Sequence, residues 1–159
     1  MALAETFRDA HLSLLQRALR TTARASKALA RAPEVPQHLR TGSRGEDEAL
    51  FWLRRKGYVV VARQWKSPMY PGDIDLIAWD GDCLCVVEVK TRTRRDEFFT
   101  AEGAVNEEKR RALRRLANAY VRRLPAPPLR KRMDVLSVYL APGKPAEFQH
   151  FPSAIAWNE

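Results

Sequence analysis

Apolar residues along the chain alternate between helical and strand periods. Ala49, Leu50 and Leu53 recur at helical spacing, Ser43 and Glu46 are spaced as in a capping box, and Gly57 is placed to end the helix. A helix opening at Ser43 is therefore predicted. Residues 58–64 are β-branched and strand-like, and Met69-Tyr70-Pro71-Gly72 reads as a turn. Two further strands, over 73–79 and 83–90, flank Asp80-Gly81-Asp82, a strong hairpin signal. A second helix over 107–124 places Leu113, Leu116, Ala117, Tyr120 and Leu124 on one side and stops at Pro125, Pro127 and Pro128. Residues 133–140 form another strand, and 147–151 a short last one. The order α-β-β-β-α-β predicts an α/β fold, a mixed central sheet flanked by helices.

Residues 1–40 break this regularity. They hold seven Lys or Arg against three acids, with Leu12, Leu15, Leu19 and Ala23 at helical spacing, and end in Ala32-Pro33-Glu34-Val35-Pro36. We expect a basic extension there, helical or loosely ordered, closed by a Pro-containing linker, with one domain over 41–159. Glu5 and Asp9 argue against an organellar transit peptide.

Charge narrows the choice of partner. Lys plus Arg number 28 against 19 acids, a net charge of +9 with a pI near 10.1. Such an excess favours a polyanion, either nucleic acid or an anionic membrane surface. No window approaches the roughly 18 apolar residues of a membrane span, and the N-terminus lacks the pattern of a secretory signal. Nucleic acid is thus the expected partner and the cytoplasm the expected compartment. Cys83 and Cys85 share one strand face inside an apolar run and read as small buried hydrophobes of a reducing compartment. With His11, His38 and His150 scattered, no zinc site is expected. Phosphate-binding glycine motifs are missing too, so nothing points to nucleotide hydrolysis or dinucleotide binding.

The chemistry concentrates on the hairpin. Side chains alternate along a strand, so Glu88 and Lys90 share a face. If Asp80-Gly81 are the central turn residues, Asp75 pairs with Val86 and lies diagonal to Glu88; if Gly81-Asp82 are central, Asp75 sits opposite Glu88. Either register places Asp75, Glu88 and Lys90 together, and a one-residue slip would turn the apolar pattern inside out. Two facing carboxylates weaken a sheet unless something offsets them. Lys90 neutralises one; Mg²⁺ or Mn²⁺ neutralises both, taking one or two carboxylates and keeping water. A surface salt bridge is the simpler reading, worth ~0–1 kcal/mol, but the apolar run around Glu88 favours a metal site. Glu46 lies on the buried stripe of the first helix, where a carboxylate can cap the helix and still reach toward a metal.

Gly45-Glu46-x-x-Ala49, Gly72-Asp73-Ile74-Asp75-Leu76-Ile77-Ala78, Val87-Glu88-Val89-Lys90-Thr91-Arg92 and Arg132-Met133-Asp134-Val135 together resemble the YraN-like family. That family belongs to the PD-(D/E)xK, or restriction-endonuclease-like, superfamily and is similar to archaeal Holliday junction resolvases. The resemblance covers about residues 41–155. It implies Asp75 and Glu88 as metal ligands, Lys90 as the residue that orients or polarises the attacking water, and Glu46 as an accessory acid. Resolvase-like enzymes often act as dimers on two-fold symmetric junctions, so it also leaves a homodimer as an expectation. Asp73 departs from the family, which commonly has Glu there, and is expected to face away from Asp75. The extension over 1–40 has no counterpart in the family pattern.

Basic residues surround these motifs. Arg92, Arg94 and Arg95 follow Lys90; Lys109, Arg110, Arg111, Arg114, Arg115, Arg122 and Arg123 decorate the second helix; Arg130, Lys131 and Arg132 come next. Phosphate contact by Arg92, Arg94, Arg95, Lys109, Arg110, Arg114 and Arg132 would give salt-sensitive affinity with little sequence information. The expectation is a Mg²⁺- or Mn²⁺-dependent endonuclease acting on DNA, branched or single-stranded. Its rivals are a nucleic-acid-binding module without turnover and an RNA- or ribosome-associated adaptor that binds through residues 1–40.

Overall fold

The computed structural model describes residues 37–93 and 105–157. The extension ahead of Gln37, with Arg94, Arg95, Phe98 and Phe99, lies outside the described residues. Among the described residues, two helices, α1 (Gln37–Arg55) and α2 (Glu107–Val121), accompany five strands: β1 (Val59–Lys66), β2 (Asp73–Asp80), β3 (Cys83–Arg92), β4 (Arg130–Tyr139) and β5 (Glu147–Ile155). The predicted order of elements holds, and the last strand is longer than the sequence suggested.

The strands form one sheet in the order β1-β2-β3-β4-β5. Only β3 and β4 run parallel. Such a pair needs a crossover connection, and α2 lies within it. The sheet is apolar on both faces. Ala49 and Leu53 of α1 pack with Leu76, Cys85, Val87, Leu136 and Val138. Leu113, Leu116 and Ala117 of α2 pack with Ile77, Leu84, Val86, Met133 and Val135. Central strands covered on both faces read as continuous apolar runs, so Glu88 and Asp134, buried in two of them, stand out.

One expectation fails at α1. The helix does not open at Ser43 but runs through it from Gln37, so Ser43 is exposed mid-helix and the capping box does not form. Gly45, quoted from the sequence as part of a motif, is held by a tertiary constraint. A Cβ there would fall 1.8 Å from Thr91 Oγ1 and 2.8 Å from Thr91 Cβ. Glycine lets the end of β3 approach the helix backbone closely. The other end agrees with the sequence. Gly57 has φ +95°, its N–H donates to the Arg54 carbonyl, and the Tyr58 N–H donates to the Leu53 carbonyl, a Schellman ending.

The hairpin register is also decided. Asp80 pairs with Cys83, leaving Gly81 and Asp82 as the two central residues, and Gly81 has φ +59°. Both edge strands are irregular. The β1–β2 register shifts between Val60 and Ala62, and the β4–β5 register between Met133 and Val135. Among the described residues, the non-glycine residues with positive φ are Gln64 on β1 and Ser153 on β5.

Candidate metal centre

The β2–β3 register runs from Asp80↔Cys83 to Leu76↔Val87. This is the Gly81-Asp82 turn register of the two open to the sequence, and the ladder ends one step short of Asp75 and Glu88. Here the Val89 N–H donates to Asp75 Oδ2 at 2.7 Å, so a carboxylate takes a donor at the point where the recorded ladder ends. Burial, reinforced by the Glu88 charge, pushes the Asp75 carboxyl up to about 7, against the pull of the Val89 N–H and Lys109.

Glu88 is 3% exposed. Its Oε1 accepts from Lys90 Nζ at 2.8 Å. Lys109 Nζ lies 3.2 Å from Oε2 as an ion pair, and among the described residues that buried oxygen has no hydrogen bond. Burial opposes the charge on Lys109, but the carboxylates of Glu88, Asp75 and Asp73 outweigh it and raise its pKa. Lys109 was expected among the phosphate contacts. The structure sets it against Glu88, carried there by the first turn of α2, whose N-cap Asn106 accepts from the Lys109 N–H. Beside Lys90 on β4 sits Ser137, with a buried hydroxyl that also lacks a partner.

Two more acids border this pair. Glu46 reaches it from α1, near enough for its charge to raise the Asp75 pKa. Its own pKa is raised, chiefly by burial, against a hydrogen bond from Gln64 and the charge of Arg63. Asp73 corrects an expectation. Alternation is broken on this part of β2, where Ile74 and Ile77 join one core cluster and Leu76 the other, and the Asp73 charge acts on both Glu46 and Lys109.

The donors suit a particular kind of ion. Among the described residues no three His, Cys, Asp or Glu side chains gather to hold a metal, so a closed four-ligand zinc site does not fit. Two neighbouring carboxylates, one with a buried oxygen that has no hydrogen bond, fit Mg²⁺ or Mn²⁺, which keep several waters.

Residues 45–138 match the Uncharacterised protein family UPF0102. A UPF0102 protein of Koribacter versatilis is 48% identical over 113 residues, covering 71% of this chain and 78% of the relative. Others, from Solibacter usitatus (46%, covering 62% and 74%) and Symbiobacterium thermophilum (43%, covering 65% and 85%), carry the same family description. The chain belongs to the UPF0102 (YraN) family. That family lies within the restriction-endonuclease-like superfamily, and the mixed sheet with its two helices fits that fold class. The matched stretch begins at Gly45, whose contact with Thr91 ties α1 to the end of β3, and includes Glu46, Asp75, Glu88, Lys90 and Lys109.

The remaining basic residues sort by what they touch. Arg114 is largely buried; its Nε donates to the Ala156 carbonyl and its Nη1 pairs with Glu107, pinning the chain after β5 to α2. Arg110 Nε donates to the Val105 carbonyl. Arg132 lies on the α1 face, where its guanidinium meets Asp134, Asp80 and the Tyr58 hydroxyl. Arg92 is half-buried at the end of β3. Arg111, Arg115, Arg122 and Arg123 are exposed on or just past α2, and Arg130 and Lys131 at the start of β4.

Asp134 was quoted from the sequence only as part of a motif. It is fully buried and accepts from Arg132 Nε, from the Ser153 N–H at 2.9 Å, and meets His150 Nε2 at 3.0 Å. The clue in the sequence was a lone acid within the apolar run Met133–Leu136, the same signal that singled out Glu88.

Proposed function

We propose that this chain is a metal-dependent endonuclease that hydrolyses phosphodiesters in DNA. The observation that carries the reading is the buried Glu88 carboxylate beside half-buried Asp75, with two lysines against Glu88. Asp75 and Glu88 would hold Mg²⁺ or Mn²⁺. Bound there, such an ion supplies Lewis-acid stabilisation of the phosphate and lowers the pKa of a coordinated water.

The chain's own groups have distinct tasks. The Val89 N–H keeps Asp75 turned toward β3. Lys90, at 30% exposure, ends at the boundary between the carboxylate pair and solvent, where its ammonium can orient a water or meet a phosphate oxygen. Lys109 offsets the carboxylate charge from the opposite element. Exposed Arg111, Arg115, Arg122 and Arg123 offer phosphate contacts that carry no sequence preference.

The test is a panel of branched, flapped and single-stranded DNA with Mg²⁺ or Mn²⁺, comparing wild type with Asp75→Ala, Glu88→Ala and Lys90→Ala. The ion's contribution of several kcal/mol to the transition state corresponds to a loss of roughly 10³-fold in rate. Salt-sensitive binding without cleavage of any substrate would instead favour a non-catalytic binding module. Binding lost with residues 1–40 but untouched by the three substitutions would favour an adaptor.

A further inference from the structure

In a regular strand, neighbouring side chains point to opposite faces. Arg63 and Gln64 do not behave so. Both reach Glu46 on α1: Gln64 Nε2 donates to Glu46 Oε2 at 2.8 Å, and Arg63 Nη2 lies 3.9 Å from the same oxygen while its Nη1 pairs with Asp47 at 2.9 Å. The exposure pattern of β1 alternates until this point, where two exposed residues stand in succession.

The cause is the backbone of Gln64, which has φ +46°. A left-handed residue without a glycine's freedom is disfavoured, and local irregularities of this kind beside a site re-aim a side chain. The position is telling as well. Arg63 pairs with Leu76 and Trp65 with Ile74, so Gln64 falls level with Asp75 on the neighbouring strand.

We propose that Gln64 is a positioning residue that fixes the Glu46 carboxylate beside the Asp75–Glu88 pair, and that its left-handed backbone is kept for this task. The proposal rests on the metal-site reading above and deepens it. Gln64 bonds to Glu46 and acts through it.

Gln64→Gly separates positioning from structure, because glycine tolerates the left-handed backbone while removing the amide. Mn²⁺ binding to the full-length chain, followed by calorimetry, should weaken on the order of 10-fold in Gln64→Gly. The melting temperature should stay unchanged or rise. Glu46→Ala should weaken Mn²⁺ binding similarly, and the double variant should be no worse than Glu46→Ala alone. A lower melting temperature with Mn²⁺ affinity unchanged would overturn the proposal, as would losses that add in the double variant. If wild type binds Mn²⁺ and cleaves nothing while Gln64→Gly binds it more weakly, the nuclease reading falls and the positioning role stands. If wild type does not bind Mn²⁺, both fall.

Discussion

Two buried acids of one sheet, Asp134 on the α1 face and Glu88 on the α2 face, are finished differently. On the α1 face, Asp134 has a complete set of partners: Arg132, His150 and the Ser153 N–H. Glu88 lies beside Asp75, close enough for its charge to raise the Asp75 pKa, and one of its buried oxygens has no hydrogen bond. A buried charge whose partners are complete specifies structure, whereas two like charges held together unfinished invite a cation. Each cluster is served by an edge strand through a left-handed residue, Ser153 by its backbone and Gln64 by its side chain. Burial also pushes the Cys85 thiol up to about 12, reinforced by the Asp134 charge, so it stays protonated as a small core residue, as expected from the sequence.

Exchanging the roles of the two clusters is the most severe test. Asp134→Ala strands Arg132 and His150 in a partly buried setting and should cost about 3–5 kcal/mol in urea unfolding. Glu88→Ala removes a repulsion from Asp75 and leaves two lysines that can reach water, so its stability should change by less than about 1 kcal/mol. Equal losses in the two variants would erase the distinction.

pH sharpens it next. The folded chain holds a proton on Asp75 up to about 7, whereas the unfolded chain releases it near 3.8. Stability of the metal-free protein should therefore fall from this group as pH rises between those values and level off above. Metal binding must expel the same proton, so Mn²⁺ affinity should climb by about tenfold per pH unit below 7 and flatten beyond. Calorimetric titration across neutral pH reads the second trend, and Asp75→Asn should abolish the first in thermal unfolding.

A smaller effect tests how α1 is held to the site. Gly45→Ala should destabilise the chain, because overpacking against Thr91 costs about 1–3 kcal/mol and exceeds the roughly 1 kcal/mol that alanine gains over glycine in a helix. Adding Thr91→Ala should restore part of the loss, as urea unfolding would record. Smallest of all are the outer arginines. Arg111→Ala or Arg115→Ala should each reduce the salt slope of DNA binding by about 0.9 with little change in stability. Arg114→Ala should instead lower the melting temperature, since its guanidinium is engaged with Ala156 and Glu107.

Much of this was legible from residues alone. Strand parity put Asp75, Glu88 and Lys90 on one face before the register was known, because the side-chain period is two whichever turn is used. The alternation of elements predicted the mixed sheet, and apolar spacing identified the buried side of both helices. Sequence reasoning misjudged contacts that depend on what approaches from elsewhere. Ser43 and Glu46 match a capping box, yet the helix continues through them, with Gly45 held by Thr91 some 46 positions away. Arg114, Arg132 and Lys109 look alike in a basic run, but one pins the chain end, one neutralises Asp134, and one enters the carboxylate site.

Periodicity and local residue chemistry thus determined the elements, their faces and the candidate trio, since these depend on neighbours one to four positions apart. Tertiary structure decided the hairpin register, the membership of Lys109 and Gln64, and which buried acid is satisfied. Those depend on distances between distant segments, and a charged side chain takes its role from the partner that packing brings to it.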